Sequence, residues 1–202
     1  MRTFLIVLSG LLTIVAAIPY VVEIIRGKAK PRIVSWFTWS VLTGVACVAS
    51  FVDGQVPSGI LGILMLAATA ETLIVVILGL KHGDRTFERL DAYCLAGAAV
   101  GLVLWLVFNS PTIAVLASVT IDLIGAIPTI KHSWEKPHEE TWITFALSAA
   151  GGGITIVLAD SWAATAIAYP IYLLVINVIM TSCILGSPHR KLAGEPAELR
   201  DL

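Results

Sequence analysis

Charge is scarce in this chain, and what is present nearly cancels. Only 13% of the 202 residues are Asp, Glu, Lys or Arg, and the formal net charge is −1, so no basic excess speaks for nucleic acid as a partner. The three cysteines, Cys47, Cys94 and Cys183, lie within apolar runs and lack metal-ligand spacing; packing as small hydrophobes accounts for them. Neither a His-Glu-x-x-His nor a Gly-x-Ser-x-Gly pattern occurs. No cluster of histidines or cysteines lies deep in an apolar run, and the run 161–185 has no lysine for a Schiff base. These absences argue against an enzyme or a photoreceptor, and no cofactor or metal is expected. His82, His132, His138 and His189 all fall between or at the ends of apolar runs, where an interfacial polar role suffices. A stretch able to form a soluble domain is also missing, since the tail 187–202 is short and mixed in charge.

What the chain has instead is apolar sequence, almost end to end. It is 57% hydrophobic with a mean hydropathy of +0.90. Seven runs, near 3–25, 33–52, 56–80, 90–108, 111–132, 140–158 and 161–185, are each close to the roughly 20 residues that cross a bilayer as a helix. Lipid leaves no partner for a free backbone amide, so each run predicts a helix and the fold class is an all-α integral membrane protein. Turn residues separate the runs: Lys28–Arg32, Asp53–Gly54 with Pro57, Gly83–Asp84, Asn109–Ser110–Pro111, Lys136–Pro137 and Asp160. With the amino terminus outside, all thirteen Lys and Arg except Arg2 fall in inward segments. That asymmetry supports seven spans with a cytoplasmic carboxyl terminus. The inward basic loops need no partner beyond lipid headgroups. Six tryptophans, Trp36, Trp39, Trp105, Trp134, Trp142 and Trp162, read as an interfacial belt near the run ends, with none plainly at the centre.

The chain also contains one unit twice. Thr3, Ser9, Ala17, Ile18 and Pro19 return 109 residues later as Thr112, Ser118, Ala126, Ile127 and Pro128. After a short gap Pro31, Trp36 and Thr38 return 106 residues later as Pro137, Trp142 and Thr144. The duplication argues that the first run is structure and not a cleaved leader. It divides the chain into a three-helix repeat (1–80), a linker helix (81–110), a second three-helix repeat (111–186) and the tail (187–202). An odd helix between the copies keeps them parallel, a plan common among solute carriers. Pro19 and Pro128 remove an amide donor at matching points, and as a pair they are candidate hinges.

Carboxyl groups deep in apolar runs are costly and are functional candidates by default. Glu71 lies mid-run in 56–80, and Asp122 mid-run in 111–132. The register maps Glu71 onto Asn177 and Asp122 onto Thr13, so both copies carry polar groups at one depth. Ser118, Asp122, Gly125 and Thr129 share one helical face, as do their mates Ser9, Thr13, Ala16 and Tyr20; such a stripe faces protein or a water-filled cavity. The candidate substrate-binding set is Glu71, Asn177, Asp122 and Thr13, with Ser118 and Tyr169 beside them. For Ser9 and Ser118, hydrogen bonding between helices is the simpler role. Glu71 and Asp122 could donate to a sugar hydroxyl when protonated, carry a coupling proton, or attract a cationic solute. Gly151–Gly152–Gly153 and Gly44 read as close-packing points between helices.

In its plan of three, one and three helices, its outside amino terminus, and Ile18–Pro19–Tyr20 leading to Arg26–Gly27–Lys28 with Ile127–Pro128–Thr129 leading to Lys131–His132, the chain resembles the SWEET and PQ-loop transporter superfamily. The glutamine that follows proline in the name-giving motif is Tyr20 and Thr129 here. The resemblance implies an alternating-access carrier of a small, sugar-like solute, with the prolines as hinges and Asn177 and Glu71 in the places of the pocket asparagine pair. PQ-loop amino-acid carriers make a proton-coupled amino-acid or cationic-solute carrier the alternative. A seven-helix sorting receptor of the same plan is another. The expected partners are a small molecule and the lipid bilayer; the sequence leaves open whether the chain forms a homo-oligomer.

Overall fold

The computed structural model describes residues 2–52, 60–107, 111–159 and 162–192. Among the described residues the chain is all helical. Seven long helices follow one another: α1 (Arg2–Ile25), α2 (Ile33–Val52), α3 (Ile60–His82), α4 (Arg89–Val107), α5 (Pro111–Glu135), α6 (Trp142–Val157) and α7 (Ala164–Gly186). A 3-10 turn, Pro137–Glu139, precedes α6, and a four-residue α8 (His189–Leu192) follows α7. The turns at Asp53–Gly54 with Pro57, at Asn109–Ser110 and at Asp160 lie outside the described residues, as does the tail from 193.

Each helix coincides with one apolar run, because a continuous apolar stretch has only the helix as a way to pair its own backbone away from water. The ends differ for local reasons. α1 stops where Gly27 turns to φ 70°. The Lys28 amide donates to Glu23 O at 2.9 Å and the Gly27 amide to Ile24 O at 2.9 Å, a glycine-terminated helix end that uses up two orphan carbonyls. The matching stretch after Lys131 has no glycine, and α5 runs on to Glu135, past the end expected at 132.

Two described stretches, Val115–Glu135 and Ile167–Gly186, are long and apolar enough by length and composition to cross a membrane. Elsewhere the exterior is also apolar. Ile77 is 58% exposed, Val103 57% and Val157 81%.

The packing is unchanged in kind when α1, α2 and α3 are exchanged for α5, α6 and α7. α3 packs on both α1 and α2, as α7 packs on both α5 and α6; α1 packs on α6 as α2 packs on α5. α4 lies outside this exchange, against α5 and α2. Each set has its own core: Tyr20, Ile24, Trp36 and Val75 in the first, Ala126, Phe145, Ile176 and Met180 in the second.

Residue contacts repeat as well. Thr144 Oγ1 on α6 donates to Ala16 O on α1 at 2.8 Å. At the register mates of those two residues, a Cβ built on Gly125 of α5 would lie 3.0 Å from Thr38 Cγ2 of α2. A small residue meets a threonine at both crossings, which lets the backbones approach. Within the second set, a Cβ on Gly152 would sit 3.2 Å from the Leu174 backbone nitrogen, so α6 and α7 also touch closely. At Gly44 nothing among the described residues lies within 4 Å of the Cβ it would carry.

Gly152→Val should therefore force α6 off α7 and cost about 1–3 kcal/mol, whereas Gly44→Ala should stay within about 1 kcal/mol of the native chain. Thermal midpoints of the two variants in detergent check the difference.

Candidate functional site

A cavity of about 410 Å³ lies among α2, α3, α5, α6 and α7, a size suited to a small molecule. Its wall includes Glu71, Asp122, Tyr169 and Asn177. Four of the six residues read from sequence as a pocket thus meet at one space. Thr13 lies on α1, but its side chain is outside the described residues. Ser118 is half-buried, about one turn before Asp122 on α5, and is not among the lining residues.

Asp122 is the best-defined polar group in the cavity. It is 7% exposed. Tyr169 donates to its Oδ2 at 2.7 Å and Tyr172 to its Oδ1 at 3.1 Å. Trp39 Nε1 approaches its backbone oxygen at 3.4 Å. The two tyrosines are one turn apart on α7 with ring centroids 5.9 Å apart, so a single helix face supplies both donors. The rest of the stripe on α5 also turns inward: Gly125 abuts Thr38, and Thr129 is fully buried.

Glu71 has no hydrogen-bond or ion-pair partner among the described residues. Beside it a run of threonines joins α2 to α3: Thr43 Oγ1 lies 3.2 Å from Thr72 Oγ1, and Thr69 donates to Thr43 O at 3.5 Å. Asn177 Nδ2 donates to Leu173 O at 2.8 Å, back along its own helix.

The tryptophan reading needs correction. Trp36 and Trp39 are not interfacial; both line the cavity, and Trp36 is 5% exposed. They lie one turn inside α2, where α1 and α5 cover that face. Trp36 stacks on Tyr20 with centroids 5.0 Å apart, and Tyr20 meets Phe145 edge-on at 6.3 Å. Trp36 and Phe145 line the cavity, and Tyr20 behind them reaches Glu140 in the loop before α6. Trp134, Trp142 and Trp162 do face outward.

Pro19 and Pro128 both lie inside continuous helices, and Pro128 is fully buried. A third proline, Pro170, interrupts the α7 amide ladder and lines the cavity. The repeat register does not disclose it, because its counterpart is Leu64.

The end of the bundle that carries the loops is a network of buried charge. Arg32 donates to Asp91 at 2.5 Å and lies 3.4 Å from Asp84. Asp91 itself is fully buried in the first turn of α4, a helix start that favours an acid. Lys30 pairs with Glu139 at 2.5 Å, and the Lys30 amide donates to Glu139 O at 2.8 Å. Lys131 pairs with Glu88. Lys30, Arg32 and Lys131 thus find acidic partners in the protein, where lipid headgroups alone were expected. The acids come from loops distant in sequence that the fold gathers together.

Asp84, His132 and Glu139 bring three donor atoms within 4.8 Å of one another. The Lys136 ammonium already stands there, 3.2 Å from Asp84 Oδ2 and 4.0 Å from Glu139 Oε2, and with Lys30 and Arg32 it supplies the countercharge. Burial alone would raise the Asp84 pKa, but hydrogen bonds from Thr86 and Lys136 prevail and hold the carboxyl well below the usual range.

No family model, curated protein or solved structure matches the chain.

Glu140, in the loop before α6, gives the charged end a pH dependence. It is 6% exposed and accepts the Tyr20 hydroxyl at 2.8 Å. Burial pushes its carboxyl from the ordinary 4.5 up to about 8, against the pull of the Tyr20 bond and aided by the Glu139 charge. A carboxyl raised on folding binds more protons folded than unfolded between those two values. Its contribution to stability is greatest below 4.5 and declines as pH rises to about 8. This group's share of the pH slope of the thermal midpoint should be negative across that window. Glu140→Gln, which keeps an acceptor for Tyr20, should remove that share; an equal slope in the native chain and the variant would dismiss this account.

Proposed function

We propose that the chain is a seven-span membrane transporter of a small polar solute, built as two parallel three-helix repeats about a linker helix and working by alternating access. The observation that carries the reading is the cavity itself. Both three-helix sets wall it, and it holds Glu71 from one and Asn177 from the other, two positions the repeat register makes equivalent.

Three further observations support it. The exterior exposes large aliphatic side chains on every long helix, which suits a lipid surround. All basic residues but Arg2 belong to one side in this topology, with the amino terminus outside and the carboxyl terminus cytoplasmic. The exchange of packing partners between the two sets is what parallel repeats predict. The same plan is the basis of the resemblance to SWEET and PQ-loop carriers.

In this reading the loop network and the Tyr20–Trp36–Phe145 cluster form the cytoplasmic closure, and the solute sits between Glu71, Asp122 and Asn177. Opening requires the Thr144–Ala16 and Thr38–Gly125 crossings to shift while each three-helix set moves as a body. Pro19 and Pro128 are each three residues beyond the small residue of their crossing, a position where a helix yields.

Flux into proteoliposomes across a panel of sugars, amino acids and amines tests the proposal. Glu71→Gln and Asn177→Leu should each lower uptake of the accepted solute about tenfold or more, as expected when a polar contact worth about 1.5–3 kcal/mol is lost. Uptake unchanged in both, or no solute carried by the native chain, would refute it.

A further inference from the structure

The cavity is one-sided in charge. Its described lining holds two carboxyl groups, Glu71 and Asp122, and no lysine, arginine or histidine. The ion pairs among the described residues all belong to the loop network, and none reaches either acid.

Most lining donors are also committed. Thr43 donates to Trp39 O, Thr72 to Thr69 O, Thr144 to Ala16 O and Thr155 to Gly151 O. Asn177 spends an amide hydrogen on Leu173 O, and Tyr169 spends its hydroxyl on Asp122. What the wall still offers is the Glu71 carboxyl and the remaining lone pairs of Asp122 as acceptors, and the Trp36 indole N–H, the Ser148 hydroxyl and the second Asn177 amide hydrogen as donors, with no positive charge to set against the two acids. A ligand matching this wall carries donors and positive charge. An ammonium has three donors and no acceptor.

Trp36, Trp39, Phe145 and Tyr169 add aromatic surface on which a cation is favoured. A ligand carboxylate has no basic group to receive it, and an unpaired anion in such a space is costly. A neutral sugar would leave both carboxyl groups without a countercharge.

We propose that the solute is an organic cation without a carboxylate, a small amine or diamine, held between Glu71 and Asp122 against the tryptophan wall. This rests on the transporter reading of the same cavity.

The test is ligand binding to the full chain purified in detergent, read by thermal shift and by tryptophan fluorescence. The probes are putrescine, tetramethylammonium, butanediol, aminobutyrate and glucose. Putrescine or tetramethylammonium should bind saturably. Butanediol and glucose should not, and aminobutyrate should bind about tenfold more weakly or worse. Glu71→Gln and Asp122→Asn should each weaken the cation about tenfold or more. The comparison of probes on the native chain stands even if a variant fails to fold. Glucose, butanediol or aminobutyrate binding as well as the amines, or no amine binding at all, would overturn the inference. Amine binding without amine uptake into proteoliposomes would leave it standing and remove transport; sugar uptake without amine binding would do the reverse.

Discussion

Close approach between backbones at two crossings is the constraint on which the structure depends. At Ala16 a side chain of one methyl lets Thr144 reach a main-chain carbonyl, and at Gly125 the missing methyl leaves room for Thr38. These crossings hold α1 to α6 and α2 to α5. They bring the two three-helix sets together along their edges and leave a space between them. A larger residue at either point would part the sets, and the wall around Glu71, Asp122 and Asn177 would open with them.

The cavity and the loop network are built from different materials. Around Asp122 the protein supplies phenol donors and a tryptophan, but no countercharge. Around Asp84, Asp91 and Glu139 it supplies Lys30, Arg32 and Lys136 within ion-pair distance. Buried carboxylates stripped of water demand either a cation or a proton. In the loop network the demand is met by the chain. In the cavity no basic residue of the described lining meets it. The contrast is one of countercharge: the loop network has ion pairs, and the described lining of the cavity has none.

Much of the helical pattern was legible beforehand because it is local. A run of about twenty apolar residues pairs its own backbone as a helix, and a helix end can follow from a single residue such as Gly27. The pairing of Glu71 with Asn177 was legible through the duplication, since equivalent positions in two like units lie at like depth. Asp122 stood out as a carboxyl in an apolar run. Trp36 and Trp39 were misjudged because distance from a run's end does not reveal which neighbour covers a helix face. Tyr172 and Pro170 went unnoticed for a similar reason. Their counterparts in the first copy are Leu66 and Leu64, so the register is silent about them.

The sequence by itself determined the helices, their order and the correspondence of the two copies, because these depend on residues adjacent in the chain or on its repetition. Only the tertiary structure decided the partners: Tyr169 with Asp122 across 47 positions, Tyr20 with Glu140 across 120, Arg32 with Asp91 across the loop into α4. Such contacts join groups whose separation along the chain carries no information about their separation in space. They arise only when helix faces are chosen, and that choice is made by how small residues, aromatics and threonines fit one another.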